Sequence, residues 1–192
     1  MAKEKKIQII KAAEKRFARH GLHKTTLNEI ARDLRIGKAS IYHYFESKDE
    51  LYYASLEYEV SLLIEDVKNI FSSVDSRIED SLSSYLLSKE NVPLKFPMIY
   101  ETLLFLVKDS EFENETALFK SLLKKEEEVV RDSFQSGLKG KILPVNPKLP
   151  GLIVNASWGM LFTGKLNQLT EKATGDSSAA LIKKGIERLL YD

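Results

Sequence analysis

Apolar residues recur along this 192-residue chain at spacings of three and four. That is the period of an α-helix buried along one face. No stretch alternates with period two, so the pattern predicts an all-α fold of about nine helices. Ile7, Ile10, Ala13 and Phe17 set the first helix over about residues 3–20, and Gly21 suits its C-terminal cap. Leu27, Ile30, Ala31 and Leu34 fall at i, i+3, i+4, i+7 behind Thr26, and Thr26 with Glu29 has capping-box spacing. After Arg35 and Ile36, Gly37 can cap a second short helix, with Ile36 and Ile41 in the positions of a hydrophobic staple. This helix turns Ile41 and Phe45 inward and leaves Lys38, Ala39, Tyr42 and His43 outward. Ser47 and Glu50 form another capping box, opening a long helix to about residue 71 on a stripe of Leu51, Ala54, Tyr58 and Leu62, continued with some drift by Leu63, Val67, Ile70 and Phe71.

Further helices are expected over about 75–89, 98–107, 113–137, 151–169 and 178–190. Asp75 can cap the first of these, and Pro97 is tolerated in the first turn of the second. In 113–137, Leu118, Leu122, Val129 and Phe134 are placed inside. The run Lys124-Lys125-Glu126-Glu127-Glu128 is read as a solvated face without function. Segment 151–169 is apolar nearly all round and must be covered on more than one face. Paired with their symmetry mates, 151–169 and 178–190 would make a four-helix homodimer interface.

Charge adds a second layer. Residues 1–50 carry 12 Lys/Arg and 7 Asp/Glu, whereas the remainder carries 17 and 21. A basic N-terminal third on an acidic body suggests that this third faces a polyanion. The outer face of the second short helix leads with small and polar residues and follows with aromatic hydrogen-bonders. That composition suits the N-terminal end of a helix in a DNA major groove. Thr25 and Thr26, beside a helix N-terminus, can offer hydroxyls to phosphate as well as cap. The free N–H groups after Ser47, with Lys48, form a ready phosphate clamp. Two domains follow: a helix-turn-helix domain over 1–47 and a helical body over 48–192.

Other chemistry is sparse. There is no cysteine, hence neither disulfides nor thiolate metal sites. His20 and His23 flank Gly21 with no third ligand nearby, so no metal is expected. A nucleophile elbow and a phosphate-binding glycine loop are both missing, so neither an enzyme nor a cofactor is expected. No apolar run approaches the roughly 20 residues that span a bilayer, and the charged N-terminus lacks an apolar signal core. The expectation is a cytoplasmic protein without a membrane partner. Aromatic and sulfur side chains in the body are candidates for a small-molecule pocket: Tyr58, Tyr85, Phe96, Met98, Tyr100, Phe105, Phe119, Phe134, Trp158 and Phe162. Together they suggest a largely apolar ligand oriented by tyrosine hydroxyls. Glu101, amid apolar neighbours, could meet a cationic ligand, but is read as an edge residue facing solvent.

Gly21, Thr25-Thr26, Ile30-Ala31, Ile36, Tyr42-x-Tyr44-Phe45 and Ser47-Lys48-Asp49-Glu50-Leu51 resemble the N-terminal signature of the tetracycline-repressor (TetR) family of bacterial transcription regulators. The resemblance covers about residues 7–53. It implies a homodimer placing two recognition helices in successive major grooves of a palindromic double-stranded operator. It also implies an effector pocket in the body and repression relieved by the effector. By position, Lys38, Ala39 and His43 become candidates for base edges, and Thr26, Ser40, Tyr42, Tyr44 and Lys48 for phosphate. The family usually has Gly where this chain has Arg35, and Ser or Thr where it has Gly37. If the turn keeps a left-handed residue, Arg35 is strained there by about 1 kcal/mol. A rival from another class is a helical small-molecule binding protein, or an enzyme, carrying a vestigial DNA module.

Overall fold

The structure, a computed structural model, describes residues 2–72, 77–108, 113–137 and 147–170. Asp75 and the helix expected over 178–190 lie outside the described residues, as does the side chain of Phe162. The described residues are helical, without strands: α1 (Ala2–Lys24), α2 (Leu27–Asp33), α3 (Lys38–Tyr42), α4 (Lys48–Phe71), α5 (Ile78–Ser88), a 3-10 turn (Lys89–Asn91), α6 (Val92–Lys95), α7 (Pro97–Lys108), α8 (Glu113–Gly137) and α9 (Leu149–Thr170).

The chain packs as two compact units, Met1–Leu62 with Phe96–Glu111, and Leu63–Lys95 with Phe112–Asp192. The division falls inside α4 rather than after residue 47, and it adds α7 to the N-terminal unit. In that unit α1 buries Ile9, Ile10, Ala13 and Phe17. Ile7, expected inside, is only half-buried. Gly21 breaks the helix with φ 71°, ψ 173°, a left-handed backbone that glycine adopts without Cβ strain. Phe17 meets the edge of the Tyr52 ring at 5.3 Å on α4.

The N-terminus of α7 shows how a buried acid is held. Pro97 has no N–H to leave unsatisfied. The next two donors, Met98 N and Ile99 N, reach Glu59 Oε1 at 3.2 Å and Oε2 at 3.0 Å, and Tyr100 N returns to Phe96 O. Glu59 thus caps α7 from α4, where a carboxylate also meets the favourable end of the helix dipole. The buried face of α4 comprises Leu51, Ser55, Leu56, Glu59, Val60, Leu63, Ile64 and Val67. This corrects the expected stripe, since Ala54, Tyr58 and Leu62 sit at its half-buried margins.

In the second unit α5, α8 and α9 pack together with the 3-10 turn. Helix α8 buries Phe119, Leu122, Glu126, Val130 and Phe134, while Leu118 and Val129 are half-buried. The reading of Lys124–Glu128 as a wholly solvated face is therefore corrected at one residue: Glu126 is 0% exposed.

Candidate nucleic-acid interface

Three local devices build the short-helix region. Thr26 caps α2: its Oγ1 accepts from Glu29 N at 3.3 Å, and the Glu29 carboxylate accepts from Thr26 N at 3.0 Å. The Thr26 hydroxyl also donates to the Glu29 carboxylate at 2.8 Å; this bond first, and then that from Thr26 N, holds the carboxyl below its usual range. The turn then passes through Arg35 at φ 53°, so the left-handed residue is present and is not glycine. Gly37 caps α3 with extended backbone and no side-chain bond. Finally Ser47 Oγ accepts from Glu50 N at 3.0 Å, while the Glu50 carboxylate reaches back to Glu46 N instead of Ser47 N.

Ile41 and Phe45 anchor α3 with almost no exposure. That burial fixes which face is free: Lys38, Ala39, Ser40, Tyr42 and His43 are all exposed, and Tyr44 is half-buried. Tyr42, 48% exposed, lies beneath Lys38 Nζ, 5.3 Å from its ring centroid. His43 meets Tyr44 edge-on at 5.2 Å. Arg16 ties α1 to α2 through a forked pair of bonds to Asp33 (2.6 and 2.7 Å) and a third to Glu29 at 3.2 Å. The Arg16 guanidinium in turn holds Asp33 below the usual carboxylate range. Helix α3 is thereby presented on a braced support.

Two of the expected contact residues have internal tasks. Thr25 is 1% exposed, and its hydroxyl donates to Gly21 O at 2.8 Å, closing the α1–α2 turn. Its side chain is therefore a packing element, unlike that of exposed Thr26. Lys48 Nζ donates to Leu22 O at 2.7 Å; an ammonium has three donors, so this bond positions the group without exhausting it.

The pattern describing "Bacterial regulatory proteins, tetR family" matches residues 9–54, the stretch that contains all of these devices. These residues thus match the N-terminal domain of the TetR family. The HTH-type transcriptional regulator YerO of Bacillus subtilis is 39% identical over 67 residues, 35% of this chain and 23% of that protein. HbdR of Aromatoleum sp. is 37% identical over 57 residues, 30% of this chain and 25% of that protein. These alignments span about a quarter of the length of the curated relatives. Among solved structures, a transcriptional regulator from Cytophaga hutchinsonii is similar with TM-score 0.62 and 29% identity, covering 95% of this chain and 92% of that one. E. coli NemR in its reduced form has TM-score 0.71 at 15% identity, covering 94% and 96%. FadR of Bacillus subtilis, in complex with stearoyl-CoA, has TM-score 0.62 at 18% identity, covering 96% and 97%. These likenesses are of fold and cover 94–96% of this chain.

The pocket candidates are divided between the two units. Tyr58, Phe96, Met98, Tyr100 and Phe105 belong to the N-terminal unit, and Tyr85, Phe119, Phe134 and Trp158 to the other. Phe105 is 45% exposed, whereas Tyr85, Phe96, Met98, Tyr100, Phe119, Phe134 and Trp158 are buried. Glu101 is exposed as expected. Sequence reading missed the buried polar residues Glu59, Lys89, Glu126 and Ser157. A signal existed for two of them: Glu59 and Glu126 sit on the apolar stripes of their own helices. Among the described residues no cluster of His, Asp and Glu could hold a metal, and no helix is long and apolar enough to cross a membrane.

Proposed function

We propose that this chain is a ligand-responsive, DNA-binding transcriptional regulator of the TetR family, acting as a dimeric repressor on a palindromic operator. The observation that carries this reading is the outer face of α3, a solvent-exposed row of Lys38, Ala39, Ser40, Tyr42 and His43 on a braced support. Lys38, Ala39 and His43 are assigned to base edges, and Thr26, Ser40, Tyr42, Tyr44 and Lys48 to phosphate. A vestigial module has no reason to keep such a face.

Dimerisation is assigned to α9 with the segment that follows it. Leu152, Ala156 and Gly159 lie at i, i+4, i+7 on α9, all three exposed in the single chain. An effector bound in the second unit would act through α4, which runs through both units, and so alter the spacing of the two α3 helices. Half-site centres about 34–36 Å apart leave little tolerance for such a change.

The test is binding of the full chain to a labelled fragment from upstream of its own gene, in a salt series, against non-specific competitor. Specific binding that weakens linearly in log salt is expected. Lys48→Ala should weaken binding to all sequences and lower the salt slope by about one. Lys38→Ala should cost about 1–3 kcal/mol and relax preference at one position of the half-site. Equal affinity for the fragment and for competitor, followed by failure to enrich any site from random DNA, would overturn the reading.

A further inference from the structure

The second unit contains a buried charge whose surroundings look like a receptor. Glu126 on α8 is fully buried, and Lys89, from the 3-10 turn, is 1% exposed beside it. Lys89 Nζ bonds Glu126 Oε1. The other carboxylate oxygen accepts from Trp158 Nε1 at 2.8 Å and from the Tyr85 hydroxyl at 3.2 Å. Ser157 Oγ lies 3.1 Å from that hydroxyl. The ammonium also faces two rings, 4.4 Å from the Trp158 centroid and 4.9 Å from that of Tyr85.

The two halves of this pair are held very differently. The carboxylate is fixed by donors from α5 and α9, so its position does not depend on Lys89. The ammonium has three donors, yet Glu126 Oε1 is its one hydrogen-bond acceptor among the described residues; aromatic faces supply the rest. A buried ion pair offsets its desolvation only when further hydrogen bonds satisfy both ions, and here only the anion is so served. One carboxylate plus aromatic faces is also how a desolvated organic ammonium is recognised. The walls stand on three α-helices, but the occupant hangs from a three-residue 3-10 turn, a weaker element.

We propose that Glu126, Trp158 and Tyr85 form a binding site for a primary alkylammonium group, which the chain fills with its own Lys89 until an amine effector displaces it. This names the ligand class and rests on the reading of the chain as effector-responsive. The site replaces the largely apolar effector of the sequence reading with an unbranched apolar stem ending in a cation. Displaced Lys89 would release the 3-10 turn, which leads through α6 into α7.

The chain has a single tryptophan, so its emission reports on the cage without labels and without DNA. Lys89→Ala removes the atoms of a propylammonium group. In that variant, n-propylammonium is expected to change Trp158 emission saturably and to raise the melting temperature, about tenfold tighter than in the wild type because the internal competitor is gone. The neutral isostere n-propanol should do neither, and adding Glu126→Gln should abolish the response. Equal effects of the amine and the alcohol would mean mere cavity filling and would overturn the proposal. In the unmodified chain, n-octylammonium should shift Trp158 emission saturably and n-octanol should not. This arm decides the question if Lys89→Ala does not fold, and an unresponsive wild type overturns the proposal. Because no operator is involved, that failure is separate from failure to bind DNA.

Discussion

Single residues carry most of the local risk in this molecule. Arg35 occupies a left-handed position at φ 53°, where a Cβ crowds the following carbonyl by about 1–2 kcal/mol. Arg35→Gly should relieve that strain, less the greater unfolded-state entropy of glycine. The net expectation is a gain of about 1 kcal/mol, read as a higher denaturant midpoint at unchanged slope. A lower midpoint would mean that the guanidinium contributes more than the backbone loses. Two acids on the N-terminal unit give a second prediction. Burial raises Glu59 to about 7, against the opposing effect of its two backbone donors. Burial, then the charge of Glu59, also raises Glu14 to about 7, although Lys11 and Lys15 pull it down; Glu14 Oε1 is buried with no hydrogen-bond partner among the described residues. Both acids thus bind protons more tightly folded than unfolded. Between about pH 4.5 and 7 the folded state holds more protons, so their contribution makes stability fall as pH rises, with the loss complete above about 7. Glu14→Gln should flatten that part of a melting-temperature profile and raise the melting point at pH 8. An unchanged profile would show that Glu14 does not ionise within this window.

At the scale of elements, legibility followed the range of the signal. The α2–α3 region could be read because its determinants are local. Thr26 and Glu29 are three residues apart, Gly37 immediately precedes its helix, and Ile41 and Phe45 share one turn. The buried faces of α4 and α8 were read in part: Leu51, Leu63, Val67, Leu122 and Phe134 are buried as expected, but each face also carries a glutamate, and hydrophobicity alone rotates such a stripe toward its neighbours. Glu59 is buried because α7 presents two unsatisfied donors, and Glu126 because Lys89, Tyr85 and Trp158 surround it. Those partners lie 32 to 41 residues away in sequence, beyond any local pattern. For α9 the apolar character was legible and the uncovered side was not. Leu152 is 61% exposed, so Leu152→Glu should cost the single chain little while placing two like charges in a symmetric interface. Light scattering should then report a monomer with unchanged helical circular dichroism. A variant that stays dimeric would move the interface off this face.

For the molecule as a whole, the proposed regulation is a coupling between two binding events. If a ligand lowers operator affinity by some factor, the operator must lower ligand affinity by the same factor. Titrating a responsive amine into free and operator-bound protein should therefore give two unequal dissociation constants, with a ratio matching the shift in DNA affinity. Equal constants would leave the ligand bound but without regulatory effect.

The N-terminal unit is assembled from two pieces of chain, because α7 packs on α1 and takes its cap from Glu59. During synthesis, residues 1–62 leave the ribosome well before that cap has a helix to bind. At ~5–20 residues per second the wait lasts a few seconds, and throughout it Glu59 awaits donors not yet made. A nascent chain halted before residue 97 should therefore hold an incomplete N-terminal unit, open to chaperones and slow to recognise DNA. Competence to bind would appear only once α7 has emerged, which ties the first function of the chain to the synthesis of more than half of it.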